Sequence, residues 1–240
     1  MKKFWVFLSV FLFISSIAFA APTAEEIVSK IHENQNKINS MSAKIVTTIK
    51  SDKNSKAIEQ KGIMKTKGHG KVLIEMEKPV KQVTIINGDK MFVENKSTGQ
   101  KFVQDLSKIR QQTGQKNVGG DPFDQTKILD NFNLSLEEKG FFKKSYIITG
   151  IPKDKSSLFS KIKFYVDASR SVPTKLEIYD ANDKLVTQAD VEYKNIKNIW
   201  VLSKNTSWVE VPGGKMEVTM KLEDVKINES ISDSEFEIKE

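Results

Sequence analysis

Residues 71–94 read KVLIEMEKPVKQVTIINGDKMFVE. Three short runs rich in β-branched and large apolar residues are separated by Pro79 and by Asn87-Gly88-Asp89. Within the first run, Ile74 and Met76 alternate with Glu75 and Glu77, the period of two that gives a strand two different faces. Asn-Gly is a preferred hairpin turn, and strands joined by links this short must run antiparallel, because parallel neighbours need a crossover of a dozen or more residues. The pattern extends in both directions. Upstream, Ala43, Ile45, Thr47 and Ile49 alternate with Lys44, Val46, Thr48 and Lys50, and a strand over 56–66 precedes the turn Gly68-His69-Gly70. Downstream, strands are expected over 132–136, 146–151, 161–167, 174–179, 184–193, 200–211 and 215–226. The result is a mainly β protein with a single antiparallel sheet of about 11 strands. Its twist should curl it into an incomplete, half-open β-barrel.

Two or three short helices complete the expected fold. Thr23 and Glu26 have the spacing of a capping box, which starts a helix at Ala24, and Ile27, Ile31 and Ile38 with Val28 form its apolar stripe to an end near residue 40. Residues 95–120, rich in Gln, Lys, Asn and Gly, break the strand rhythm and are expected to be a flexible insert. Asp121-Pro122 then opens a second helix ending near 131, with Phe123, Ile128 and Leu129 on its apolar side. Ile27, Ile31, Ile128 and Leu129 are the expected lid residues.

Composition removes several classes of chemistry. The 240 residues contain no cysteine, which excludes disulfides, a thiol nucleophile and the acylated cysteine of a lipoprotein. Lys2 and Lys3, the apolar run 4–17 and Ala18-Phe19-Ala20 predict a signal peptide over 1–20, cleaved after Ala20, and hence a periplasmic chain in which 21–240 is one domain. Removing those two lysines leaves 38 − 2 = 36 basic residues against 31 acidic ones, a surplus of five. With the two signs interleaved throughout, no nucleic-acid stripe is expected, and the protein is expected to be a monomer.

The inward-facing set predicted from alternation is Ile45, then Ile74 and Met76, then Val83 and Ile85, then Met91 and Val93. In the second half it is Ile162, Phe164 and Val166, with Leu176 and Ile178, and finally Met216, Val218 and Met220. Most of these should simply pack as core. Two short helices cannot fill the hollow of so large a sheet, however, so part of this lining is expected to be available to a hydrophobic guest, and flexible methionines suit guests of varied shape. At about 0.8 kcal/mol per methylene, a chain of roughly 16 carbons gains on the order of 12 kcal/mol on leaving water, so partial cover is enough for a carrier and permits release.

Catalysis has little support. His32 and His69 have no partner at metal-ligand spacing, so no metal and no cofactor are expected. Glu75, Glu77, Glu217 and Glu223 alternate with apolar residues and should face solvent, serines lack a G-x-S-x-G setting, and Trp200 and Trp208 read as packing residues. No enzyme is expected.

Several stretches resemble the LolA-like family of periplasmic lipoprotein carriers and sorting proteins: Thr23-Ala24-Glu25-Glu26-Ile27-Val28, residues 71–79 and 85–93, Tyr165-Val166-Asp167, Pro173-Thr174-Lys175-Leu176, and Ile231-Ser232-Asp233-Ser234-Glu235-Phe236. The resemblance implies an incomplete barrel with a helical lid over a hydrophobic cavity that shields lipoprotein acyl chains, or related lipids, on their way to the outer membrane. It also implies an inner-membrane donor complex and an outer-membrane acceptor. In the family's well-known carriers an arginine on an early strand latches the lid. This chain has only Arg110 and Arg170, and offers Lys44 and Lys50 on that strand. The alternative is an envelope sensor or scaffold module that binds a signalling protein through the same fold.

Overall fold

The computed structural model describes residues 21–68, 70–108, 129–140, 144–154, 157–211 and 214–238. The expected leader, His69, the insert from residue 109 onward and the second-helix residues 121–128, Ile128 among them, lie outside these. Helix α1 (Ala24–Gln35) starts at its capping box: the Glu26 amide donates to Thr23 Oγ1 at 3.1 Å and the Thr23 amide to the Glu26 carboxylate at 3.0 Å. These bonds satisfy donors that a helix start leaves open. α1 ends earlier than the apolar stripe suggests, because Asn36 and Asn39 favour a turn and β1 begins at Ser40.

The strands follow in two meanders. The first comprises β1 (Ser40–Ser51), β2 (Asn54–Lys67), β3 (Lys71–Lys78), β4 (Gln82–Asn87), β5 (Lys90–Asn95) and β6 (Lys101–Asp105). The second comprises β7 (Phe132–Lys139), β8 (Ser145–Pro152), β9 (Phe159–Asp167), β10 (Val172–Asp180), β11 (Leu185–Ile196), β12 (Ile199–Val211) and β13 (Gly214–Ile227). They join into one 13-stranded antiparallel sheet because β1, the first strand, pairs along its length with β13, the last. The sheet is not closed: β6 and β7 are its two edges.

Thirteen strands replace the expected eleven or so, and one of the additions corrects the insert. Residues 95–105 continue the sheet, since the chain reverses at Gly99 (φ +71°), Asn95 Oδ1 accepts from the Ser97 and Thr98 amides, and β6 pairs with β5. The five-residue strand is too short for its alternation to stand out in the sequence.

The reach of α1 fits a curled sheet. The helix contacts both β12 and β7, which are five positions apart in the sheet order. Five strand spacings measure about 24 Å laid flat, while a 12-residue helix is about 18 Å long, and a sheet curled toward α1 brings both strands within its reach. We call the side facing α1 the inner face. A short 3-10 helix, Asp233–Phe236, lies against β3 and β4 on the outer face.

Candidate functional site

Strand register assigns each candidate residue to a face. Phe164 is opposite Ile148 on β8 and Leu176 on β10, and Ile162 is opposite Gly150 and Ile178. These side chains share the inner face with Ile27, Ile31 and Leu129, and form one cluster with Phe132 and Val166. Ile148, Ile162, Phe164 and Val166 are fully buried. A Cβ on Gly150 would stand 3.0 Å from both Ile162 and Phe132, so this end of the hollow is filled to contact. Beneath the other end of α1 is an apolar gap of about 40 Å³, lined by residues including Ile31, Ile38, Tyr193 and Leu202. That is far below the ~300 Å³ at which ligand clefts begin.

The opposite arm is built differently. Ile74 and Met76 on β3 pair with Thr84 and Gln82 on β4, and Thr84 pairs with Val93 on β5, so Ile74, Met76, Met91 and Val93 share the inner face. All four are only half-buried. The same register corrects the assignment of Val83 and Ile85. They stand opposite Glu75 and Leu73 on the outer face, where Leu73, Ile85 and Phe92 pack with Ile231 and Phe236 of the C-terminal segment. Both faces of β4 are apolar, and alternation alone cannot tell which of two apolar faces looks inward.

Ion pairs fasten that C-terminal segment. Lys67 Nζ and Lys71 Nζ reach Asp233 Oδ1 at 2.9 and 2.8 Å, Lys65 pairs with Glu235, and Asn87 Nδ2 donates to the Phe236 carbonyl. Hydrogen bonds from Lys71 and then Lys67 hold the Asp233 carboxyl down at about 2.

Between the arms, Ile45, Ile74, Met76 and Met220 belong to one central cluster with buried Met64, Val191 and Leu222. Met216 and Val218 continue the inner face toward its rim and are half-buried, opposite Ser51 and Ile49. Ile49 and the 49%-exposed Ile58 extend the same apolar floor and were not among the expected lining residues. The alternation Ile45, Thr47, Ile49 already carried the signal for the first of them. Gly62 lies in register between Ile45 and Met76 and adds no side chain to the floor. A Cβ there would meet the Glu75 carbonyl oxygen at 2.1 Å, so only glycine permits this approach of β2 to β3.

The hold on α1 differs from the expected one. Lys44 pairs with Asp224 at 2.7 Å and Lys50 with Glu217 at 3.3 Å, both exposed and both on the outer face, so neither lysine reaches α1. The tie is Asn34, whose Nδ2 donates to the Trp200 carbonyl (2.8 Å) and whose Oδ1 accepts from the Trp200 amide (3.2 Å). Arg170 lies over the Trp200 ring, 5.2 Å from its centroid, and is held by Asp167 through Nε (3.0 Å) and Nη2 (2.9 Å). Burial would raise the Asp167 carboxyl, but hydrogen bonds from Ser169 and Arg170 outweigh it and hold the group at about 2. The sequence shows no motif that would single out Asn34, since its partner is backbone 166 residues away.

The outer face offers charge rather than grease. A groove of about 420 Å³ over β1, β2 and β13 is lined by Lys44, Lys61 and Lys221 with Glu59, Glu77 and Glu223. Opposite signs are paired there, as in Lys61–Glu59 at 2.9 Å, so it is no anion site. Among the described residues, no group of three or more His, Asp or Glu side chains is placed to hold a metal ion. No helix among them is long and apolar enough to cross a membrane.

Comparison with known proteins agrees with this geometry. A family model described as "Uncharacterized protein" matches residues 103–240. Three solved structures share the fold over nearly the whole chain. A LolA superfamily protein from Nitrosomonas europaea is 16% identical, with a TM-score of 0.64 over 91% of this chain and 99% of its own. A DUF1329 family protein from Desulfovibrio piger is 15% identical, with a TM-score of 0.63 over 89% and 96%. A domain described as an outer membrane lipoprotein-sorting protein, from Vibrio parahaemolyticus, is 11% identical, with a TM-score of 0.62 over 87% and 95%. No curated protein matches the sequence.

Proposed function

We propose, for a chain that has the LolA-like fold and belongs to the family of uncharacterized proteins matched over residues 103–240, that it is a carrier of acylated cargo in the bacterial envelope. Its signal-peptide pattern over 1–20 directs it to the periplasm. There it shields the acyl chains of lipoproteins or related lipids on the open part of the inner face during transfer toward the outer membrane. The observation that carries this reading is the half-buried floor of Ile74, Met76, Met91 and Val93, apolar and yet not packed to the density of the opposite arm. Burying hydrocarbon there returns the free energy that exposed apolar surface costs, and no covalent chemistry is needed.

In this reading α1 is a fixed cover, sealed by Ile27 and Ile31 and tied by Asn34, and cargo enters over β2–β5. An inner-membrane donor complex loads the carrier and an outer-membrane acceptor unloads it. Protein purified from its native envelope under mild conditions and examined by lipid mass spectrometry should contain acyl-bearing molecules. A fluorescent fatty acid bound to the emptied protein should be displaced by an acylated lipoprotein. Absence of both would refute the proposal.

A further inference from the structure

Two buried side-chain oxygens among the described residues accept no hydrogen bond: Gln35 Oε1 at the end of α1 and Asn205 Oδ1 on the inner face of the sheet. Asn205 on β12 stands opposite Val191 on β11 and Met220 on β13, so it belongs to the inner row that continues through Thr47 to Gln60. Its Oδ1 is buried and accepts no hydrogen bond. Val191 and Met220 beside it are members of the central apolar cluster. Other inner-face polar groups are satisfied differently: the Ser207 hydroxyl donates to the Val218 carbonyl, and Gln82 Nε2 donates to Thr84 Oγ1.

A carbonyl oxygen withdrawn from water without a donor is an uncommon and unfavourable feature in a folded interior. A donor brought in by a ligand removes that penalty, and a site of this kind discriminates strongly against an analogue lacking the donor. Placement agrees with such a use. From β12 to Met76 on β3 the inner face crosses four strand spacings, about 19 Å, with Met220, Ile45 and Gly62 between them. A head group held at Asn205 leaves a long hydrocarbon tail lying across that floor.

We infer that Asn205 is a specificity residue for amphiphiles whose acyl chain is joined through an amide: Oδ1 accepts the ligand N–H, and the chain runs toward Met76. An ester-linked chain of the same length carries no proton at that position and leaves the oxygen unpaired. This inference rests on the carrier reading and narrows its cargo by linkage chemistry.

The test compares two probes that differ only at the linking atom, N-palmitoylglycine and the corresponding ester, palmitoyl glycolate. Each is titrated against the purified, delipidated protein by displacement of a fluorescent fatty acid. The wild-type protein should bind the amide about tenfold more tightly than the ester. In Asn205→Leu that ratio should fall to near one while ester affinity is kept, and the thermal midpoint should hold or rise because an unpaired polar atom has gone. Equal affinity of the wild type for both probes overturns the inference and leaves the carrier reading standing. An unchanged ratio in Asn205→Leu, or a lowered midpoint, overturns it as well. If neither probe binds the folded wild-type protein, the inference and the carrier reading fall together.

Discussion

The arm β7–β10 and the arm β2–β5 belong to one sheet, yet the chain covers opposite sides of them. On β7–β10 the inner face is filled along β8 and β9, where Ile148, Ile162 and Phe164 are fully buried under Ile27, Ile31 and Leu129, and Leu134, Leu136, Leu176 and Ile178 are half-buried to either side. Its outer face is closed by polar bonding instead. Glu177, 6% exposed, accepts from Tyr165 at 2.9 Å and from Tyr179 at 2.8 Å and pairs with Lys175, and burial together with Glu177 pushes both tyrosines up to about 12. On β3–β5 a buried cluster, Leu73, Ile85 and Phe92, points outward beneath the C-terminal segment, while inside Val72 is buried and Ile74, Met76, Met91 and Val93 are only half-buried. Among the described residues, the tightest packing of the first arm lies on its inner face along β8 and β9, and the buried cluster of the second lies on its outer face. A sheet whose two arms are packed most tightly on opposite faces keeps half-buried apolar side chains together on one side, and the proposed cargo lies against these.

The largest expected effect tests that contrast directly. Phe164→Ala should cost about 3–5 kcal/mol in urea unfolding, the range for deleting a buried aromatic, whereas Met91→Ala should cost less than about 1.5 kcal/mol because its surroundings are already open. Equal losses at the two positions would erase the distinction between the arms.

Next in size is Asp167→Asn, which removes the charge that holds Arg170 against Trp200. The carboxyl is lower in the folded chain (about 2) than in the unfolded one (near 3.8), so its contribution is full above pH 3.8 and fades as the pH falls toward 2. The variant should lose about 2 kcal/mol at neutral pH, and its stability should vary less than that of the wild type between pH 4 and pH 2. Thermal melts across that window decide the matter, and parallel curves for the two proteins would contradict the assignment.

A smaller effect sharpens the role of α1. Asn34→Ala deletes both bonds to the Trp200 backbone and should cost roughly 1–2 kcal/mol. Amide hydrogen exchange should then quicken along Ala24–Gln35 and stay slow in β8 and β9. If α1 remained as protected as in the wild type, Asn34 would not be what fixes the cover.

Much of the architecture was legible in the sequence because it is written in short-range signals. Asn87-Gly88 and Pro79 mark turns, Thr23 with Glu26 marks a helix start, and alternation marks strands such as 161–167. What failed is what short-range signals do not contain. Val83 and Ile85 were assigned to the wrong face because β4 is apolar on both sides, and only pairing with β3 fixes its orientation. β6 was absorbed into an insert because its partner, β5, had already ended the visible rhythm. Lys44 and Lys50 were weighed as ties for the lid by position along the chain, while the actual tie at Asn34 depends on a contact with distant backbone. Asn205 looks like any polar strand residue until its neighbours across β11 and β13 are known to be Val191 and Met220.

The seam between β1 and β13 sets the order in which this molecule can be completed. Synthesis from the amino end delivers Ser40–Ser51 early and Gly214–Ile227 almost last. Until then β1 has a partner on one side only, and its other border stays a bare row of backbone donors and acceptors, the kind of border along which chains stack into aggregates. Any product cut short before the final strand therefore keeps an adhesive flank in the middle of what should have been a continuous wall, and surveillance proteases would meet it as unfinished goods.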